Sequence, residues 1–123
     1  MPPFDSADLL KIAQQCLHMS PSEAALRSAI NRAYYAAFRI ARDYCHVPLS
    51  VDGTGSHDAV LNAVDRLDFP DAYDRARRLR YLKRQRVRAD YGVIFTELEA
   101  IAVEAVDDAE LIVQWFRRLP ART

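Results

Sequence analysis

Two long apolar stripes at helical spacing constrain this chain more than any other feature. Leu26, Ala29, Ile30, Ala33, Ala37, Ile40, Ala41 and Tyr44 recur every three or four positions. So do Leu98, Ile101, Ala102, Ala105, Val106, Ala109, Ile112, Val113 and Phe116. That period places each set on one face of an α-helix. No stretch alternates with a period of two, and no internal repeat is present. The expected fold is all-α, an up-and-down bundle of four to five helices. With 123 residues the chain is long enough for one core and is read as a single domain, 1–123.

The helix boundaries follow from local chemistry. Ser6 to His18 carries Leu9, Ile12, Ala13, Cys16 and Leu17 at helical spacing and predicts a short first helix. Ser20-Pro21-Ser22-Glu23 reads as a capping box with Ser20 as N-cap and proline at the first helical position. The second helix therefore starts there and runs to about Cys45. Its alanines allow close helix–helix approach, and Arg27, Asn31, Tyr34, Tyr35 and Phe38 sit on its flanks. Residues 46–56, with Pro48, Gly53 and Gly55, read as a loop. Its Gly-Thr-Gly-Ser lacks the lysine and the preceding strand of a phosphate-binding loop. Ser56 is expected to cap a short helix reaching Leu67, with His57 exposed in its first turn. Phe69-Pro70-Asp71 ends that segment and is expected to cap the next helix. A last helix is expected from Phe95 to Leu119.

Between these lies the most unusual stretch, Arg75 to Gly92. It holds eight of the 17 basic residues and has no Gly or Pro before Gly92, so it predicts one helix. Leu79, Leu82, Arg86 and Ala89/Asp90 share its inward stripe, which turns Arg86 and Asp90 into the fold or a crevice. Arg77, Arg80, Arg84 and Arg88 line an exposed face. A buried arginine needs a partner, and Asp90, one turn on, is the nearest. If Gly92 closes the helix in the left-handed conformation, Asp90 falls in the last turn, where the helix dipole opposes it. Clustered arginines repel unless an anion joins them, and phosphate matches their forked geometry.

Net charge is zero, which excludes a bulk polyanion binder, but the charges are segregated. No Lys or Arg occurs from Ala89 to Trp115, whereas six acids lie between Glu97 and Glu110. One basic and one acidic side suit an anionic ligand on one and a basic partner or second copy on the other. No apolar run is long enough to cross a membrane, and the first residues lack a secretory pattern, so a cytoplasmic protein is expected. Cys16 and Cys45 fall at apolar helical positions and read as buried thiols. His18, His46 and His57 have no ligand spacing, so neither a metal nor another cofactor is expected.

Three passages resemble the HEPN family of small helical nucleic-acid-associated domains. They are Arg27-Ser-Ala-Ile-Asn-Arg-Ala-Tyr-Tyr-Ala-Ala-Phe38, then Ser56-His57 after a glycine loop, then Leu82-Lys-Arg-Gln-Arg-Val-Arg-Ala-Asp-Tyr91. Their order resembles the subgroup whose third element ends in Arg-x-x-Ala-Asp-Tyr, and the likeness covers about residues 20–118. The resemblance implies a helical bundle that homodimerises, with the two basic helices across a shared cleft. Many such domains are metal-independent ribonucleases, often toxins neutralised by a minimal nucleotidyltransferase. Their motif is an arginine that holds the scissile phosphate, then four to six residues, then a histidine. Here Arg86 matches the arginine, but Tyr91 follows after four residues and no histidine lies beyond Arg75. A tyrosine, with an ordinary pKa of about 10, is a poor base at neutral pH.

On this reading Arg86 binds phosphate, Tyr91 or His57 moves the proton, and Asp90 orients Arg86. Arg80, Lys83, Arg84 and Arg88 bind nucleic acid, while Asn31 and Tyr35 face the cleft from the neighbouring helix. The ligand is RNA or a nucleotide, whether cleaved or only bound. The alternative is a protein-interaction module in which Arg86–Asp90 is structural and the acidic or basic helix docks a nucleotidyltransferase.

Overall fold

A computed structural model describes residues 5–19, 22–48, 56–92 and 94–121. Five helices follow one another: α1 Ser6–His18, α2 Glu23–Cys45, α3 Ser56–Asp65, α4 Ala72–Tyr91 and α5 Leu98–Arg118. Among the described residues there is no strand, and the architecture is an all-α bundle. No helix is long and apolar enough to cross a membrane. Cys16 is half-buried, Cys45 is buried, and both are thiols.

Helix α2 is the hub and packs against each of the other four. Its sequence explains why: Ala29, Ala33, Ala36, Ala37 and Ala41 are wholly buried, and their small side chains let neighbouring backbones approach. Ile30, Leu79, Leu82, Val60, Val64, Ile112 and Val113 fill the spaces between helices. Each such side chain contributes about 1.5–3 kcal/mol on burial. The buried face of α5 runs Ala102, Ala105, Val106, Ala109, Ile112, Val113 and Phe116, seven of the nine stripe residues, while Leu98 and Ile101 are half-buried.

Several helix ends differ from expectation. The N-cap of α2 is Ser22 and not Ser20; Ser22 Oγ accepts from Ala25 N at 3.1 Å. A capping box needs its glutamate at the third helical position, which Ala25 occupies. Glu23 instead binds Arg27, at 3.3 Å. Ser20 and Pro21 lie outside the described residues, as does most of the loop before α3. Ser56 begins α3 as a helical residue, and α3 ends at Asp65, two residues short of Leu67. Asp71 holds the N-cap position of α4, but its side chain accepts no capping bond.

At the other end of α4, Gly92 is extended (φ −73°, ψ 135°) and not left-handed. Glycine is required there by contact: a Cβ would lie 2.6 Å from Arg88 O. The backbone is pressed against the last turn by the Gly92 N to Arg88 O bond of 2.7 Å. Arg27, reaching across from α2, completes this terminus. Its Nη1 donates to the carbonyls of Arg88, Ala89 and Gly92 at 3.3, 2.9 and 2.7 Å. Of these, Ala89 O belongs to the last turn, whose carbonyls a helix end leaves without helical partners. Phe95, expected to open the last helix, instead packs as a buried plug beside this end, and α5 begins at Leu98. The guanidinium carbon of Arg88 lies 4.2 Å from the Phe95 ring centroid.

Candidate functional site

Three helices bring the chemistry-bearing residues together: Asn31, Tyr34 and Tyr35 from α2, His57 and Asp58 from α3, and Lys83, Arg86 and Asp90 from α4. Arg86 is the centre. Its side chain is only 13% exposed, and Nη1 donates to Asp90 Oδ2 at 3.3 Å. Asn31 Nδ2 donates to both oxygens of that carboxylate, at 3.2 Å to Oδ1 and 3.1 Å to Oδ2. The guanidinium carbon lies 5.6 Å from the Tyr34 ring centroid and 5.7 Å from that of Tyr35. Two electron-rich ring faces and one carboxylate therefore hold a mostly buried cation. Among the described residues Nε is buried without a hydrogen-bond partner and Nη2 makes no hydrogen bond.

His57 departs from expectation. It is half-buried, not exposed, because its ring packs on α2: the centroid lies 4.6 Å from that of Phe38 and 5.7 Å from that of Tyr34. Its Nδ1 is hydrogen-bonded to Tyr34 Oη. Burial, then the nearby charges of Lys83 and Arg86, push the histidine pKa below its usual 6.5, with Asp58 partly opposing. Tyr34 is wholly buried, and burial drives its phenol pKa well above the usual 10 despite Arg86. Near neutral pH the pair is a neutral imidazole on a neutral phenol.

Tyr34 is the residue that sequence reasoning passed over, placing it on a flank of α2. One signal was present: a tyrosine beside an alanine-rich stripe buries its hydroxyl and must find it a partner. Which partner depends on how α3 crosses α2, and no local pattern encodes that.

A groove of about 490 Å³ adjoins this cluster between α3 and α4, lined by Asp58, Leu61, Arg80, Lys83, Arg84, Val87 and Arg88. All four residues expected to bind nucleic acid are on its wall. Lys83 Nζ lies 3.1 Å from Asp58 Oδ1, and Arg80 Nη2 lies 3.7 Å from Asp65 Oδ2. Arg84 and Arg88 have no carboxylate at ion-pair distance among the described residues; Arg88 leans on Phe95 and Gln85. A cleft of about 280 Å³ between α4 and α5 differs in kind. Its Arg78 is already held by Asp74 at 2.8 Å and Asp108 at 2.7 Å.

Tyr91 stands apart. It is 75% exposed, and five residues beyond Arg86 it points about 140° away around the helix. No described contact joins it to Arg86 or His57. Among the described residues, no group of three or more His, Cys, Asp or Glu could hold a metal ion. Comparison with known protein families, with curated proteins and with solved structures finds no match to this chain.

Proposed function

We propose that this protein is a HEPN-type domain that binds RNA at the cleft of α2, α3 and α4 and cleaves it without a metal ion, with a second copy of the chain as its partner. One observation carries the reading: Arg86 and His57, far apart in sequence and on different helices, are both anchored on Tyr34. Phosphoryl transfer needs a fixed cation for the phosphate oxygens and a group that moves a proton at neutral pH. Arg86 supplies the first. Asp90 engages Nη1 alone, leaving Nη2 for a phosphate oxygen, and Lys83 lies one turn away. His57 supplies the second, since its lowered pKa keeps it unprotonated near pH 7.

For Nε2 to take a proton, Nδ1 must carry its hydrogen and donate it to Tyr34 Oη. The buried hydroxyl thereby sets both tautomer and ring orientation. His57 Nε2 takes the proton of a ribose 2′-hydroxyl, and the 2′-oxygen attacks the adjacent phosphorus. The bond from phosphorus to the 5′-oxygen breaks, and that oxygen leaves with a proton from water. The products are a 2′,3′-cyclic phosphate and a 5′-hydroxyl. Tyr34 is a positioning residue in this scheme, and Asn31 positions Arg86 through Asp90.

The test is purified protein with end-labelled single-stranded RNA in EDTA. Wild type should yield cyclic-phosphate ends, His57→Gln should bind without cleaving, and Arg86→Gln should lose both. Cleavage by His57→Gln at the wild-type rate would remove His57 from the mechanism. Salt-sensitive binding by wild type with no cleavage would leave the binding and eliminate the chemistry.

A further inference from the structure

The groove between α3 and α4 combines two properties that seldom coincide. Its floor is apolar, formed by Leu61, 5% exposed, and Val87, 41% exposed. Its rim is cationic. Arg80, Lys83, Arg84 and Arg88 succeed one another along α4, so the rim extends for about 12 Å. The one carboxylate on its wall, Asp58, is taken by Lys83. The methylene stems of the arginines add apolar surface below their charged heads. A ligand for such a groove is flat and apolar in the middle and anionic at its edges. A volume of about 490 Å³ is ample for one heterocycle.

We infer that this groove is a base-binding site: it takes the base of one unpaired nucleotide, with the flanking phosphates on Arg84 and Arg88. Lys83 borders both the groove and the Arg86 cluster, so the bound base belongs to a nucleotide next to the phosphate held at Arg86. The inference rests on the proposed RNA reading and extends it to the form of the substrate. A base stacked within a duplex cannot enter a groove between two helices, so the site selects unpaired strands. Leu61 and Val87 offer no hydrogen-bonding group, so the groove should discriminate weakly among the four bases.

The experiment measures binding by fluorescence anisotropy with three RNA ligands of equal length: a single strand, the same strand in a duplex, and the strand with abasic sugars throughout. The abasic strand keeps every phosphate. It should bind about tenfold or more weakly than the normal strand, and the duplex likewise. Val87→Gln alters a surface position and should leave the circular dichroism unchanged. It should weaken the normal strand several-fold and leave the abasic strand unaffected. Equal binding of normal and abasic strands, or a Val87→Gln effect of the same size on both, would overturn the base site while leaving phosphate binding at Arg86 intact. No binding of any RNA by wild type would overturn the RNA reading and the groove together.

Discussion

Replacing Arg27 by alanine tests whether the end of α4 is held from α2. The guanidinium, 18% exposed, donates from one nitrogen to three carbonyls in and just beyond the last turn. The bonds to Ala89 O and Gly92 O, at 2.9 and 2.7 Å, are short enough to count fully; that to Arg88 O, at 3.3 Å, adds little. A hydrogen bond from a charged donor contributes about 1.5–3 kcal/mol, and a cation at a helix C-terminus about 0.3–1 kcal/mol. Water can reach part of this end and replace some of what is lost, so the expected cost of Arg27→Ala is about 2–3 kcal/mol. In a chain of this size about 1 kcal/mol lowers Tm by roughly 4 °C, which makes the expected drop about 8–12 °C. Arg27→Lys should fall between, because lysine keeps the charge but its ammonium reaches less far than Nη1. Thermal unfolding followed by calorimetry reads the effect. A Tm within about 2 °C of wild type would show that water satisfies these carbonyls equally well and would refute the clamp.

Gly92→Ala separates contact from conformation. At negative φ an alanine ordinarily stabilises by about 0.4–1 kcal/mol, whereas a Cβ 2.6 Å from Arg88 O should reverse that sign and cost about 1–3 kcal/mol in urea unfolding. A stabilised variant would contradict the geometry. For His57 the folded pKa lies below the unfolded 6.5, so the unfolded chain takes up the proton first. Stability from this group is therefore complete above about pH 6.5 and declines as pH falls from there to the folded pKa. Urea unfolding at stepped pH should show this decline in wild type and not in His57→Gln. Lys83→Met, which removes one cation and releases Asp58, should raise the His57 pKa in an NMR titration; a fall would overturn the assigned electrostatics.

Much of this architecture can be read without coordinates. The stripe on α5 appears from Ala102 to Phe116, with Leu98 and Ile101 only half-buried, and the alanines of α2 announce the close helix packing that is found. Arg86 could be placed on the covered face of α4 because Leu79 and Leu82 set the phase of that helix. Asp90 could be named as its partner from a spacing of four. What failed was the detail of helix ends. The capping-box pattern points to Ser20, but Ser22 is the cap, its Oγ on Ala25 N, and Glu23 turns to Arg27 instead. The usual habit of glycine at helix ends predicts a left-handed Gly92, whereas the cause of glycine there is pressure from a neighbouring carbonyl. Its place beside the loop predicts His57 in water, yet Val60, Leu61 and Val64, three, four and seven positions on, put it on the covered face of α3, where Tyr34 and Phe38 of α2 receive it.

The sequence by itself determined the helical class, the long buried stripes, the basic helix and the pairing of Arg86 with Asp90. All of these are written in residues three or four apart, where helix geometry converts spacing directly into neighbourhood. Only the tertiary structure decided that His57 and Arg86 share one tyrosine and that four cations border one apolar groove. It alone assigned the terminus of α4 to an arginine of α2. Those contacts join residues with no periodic relation, and the angles at which packed helices cross set them.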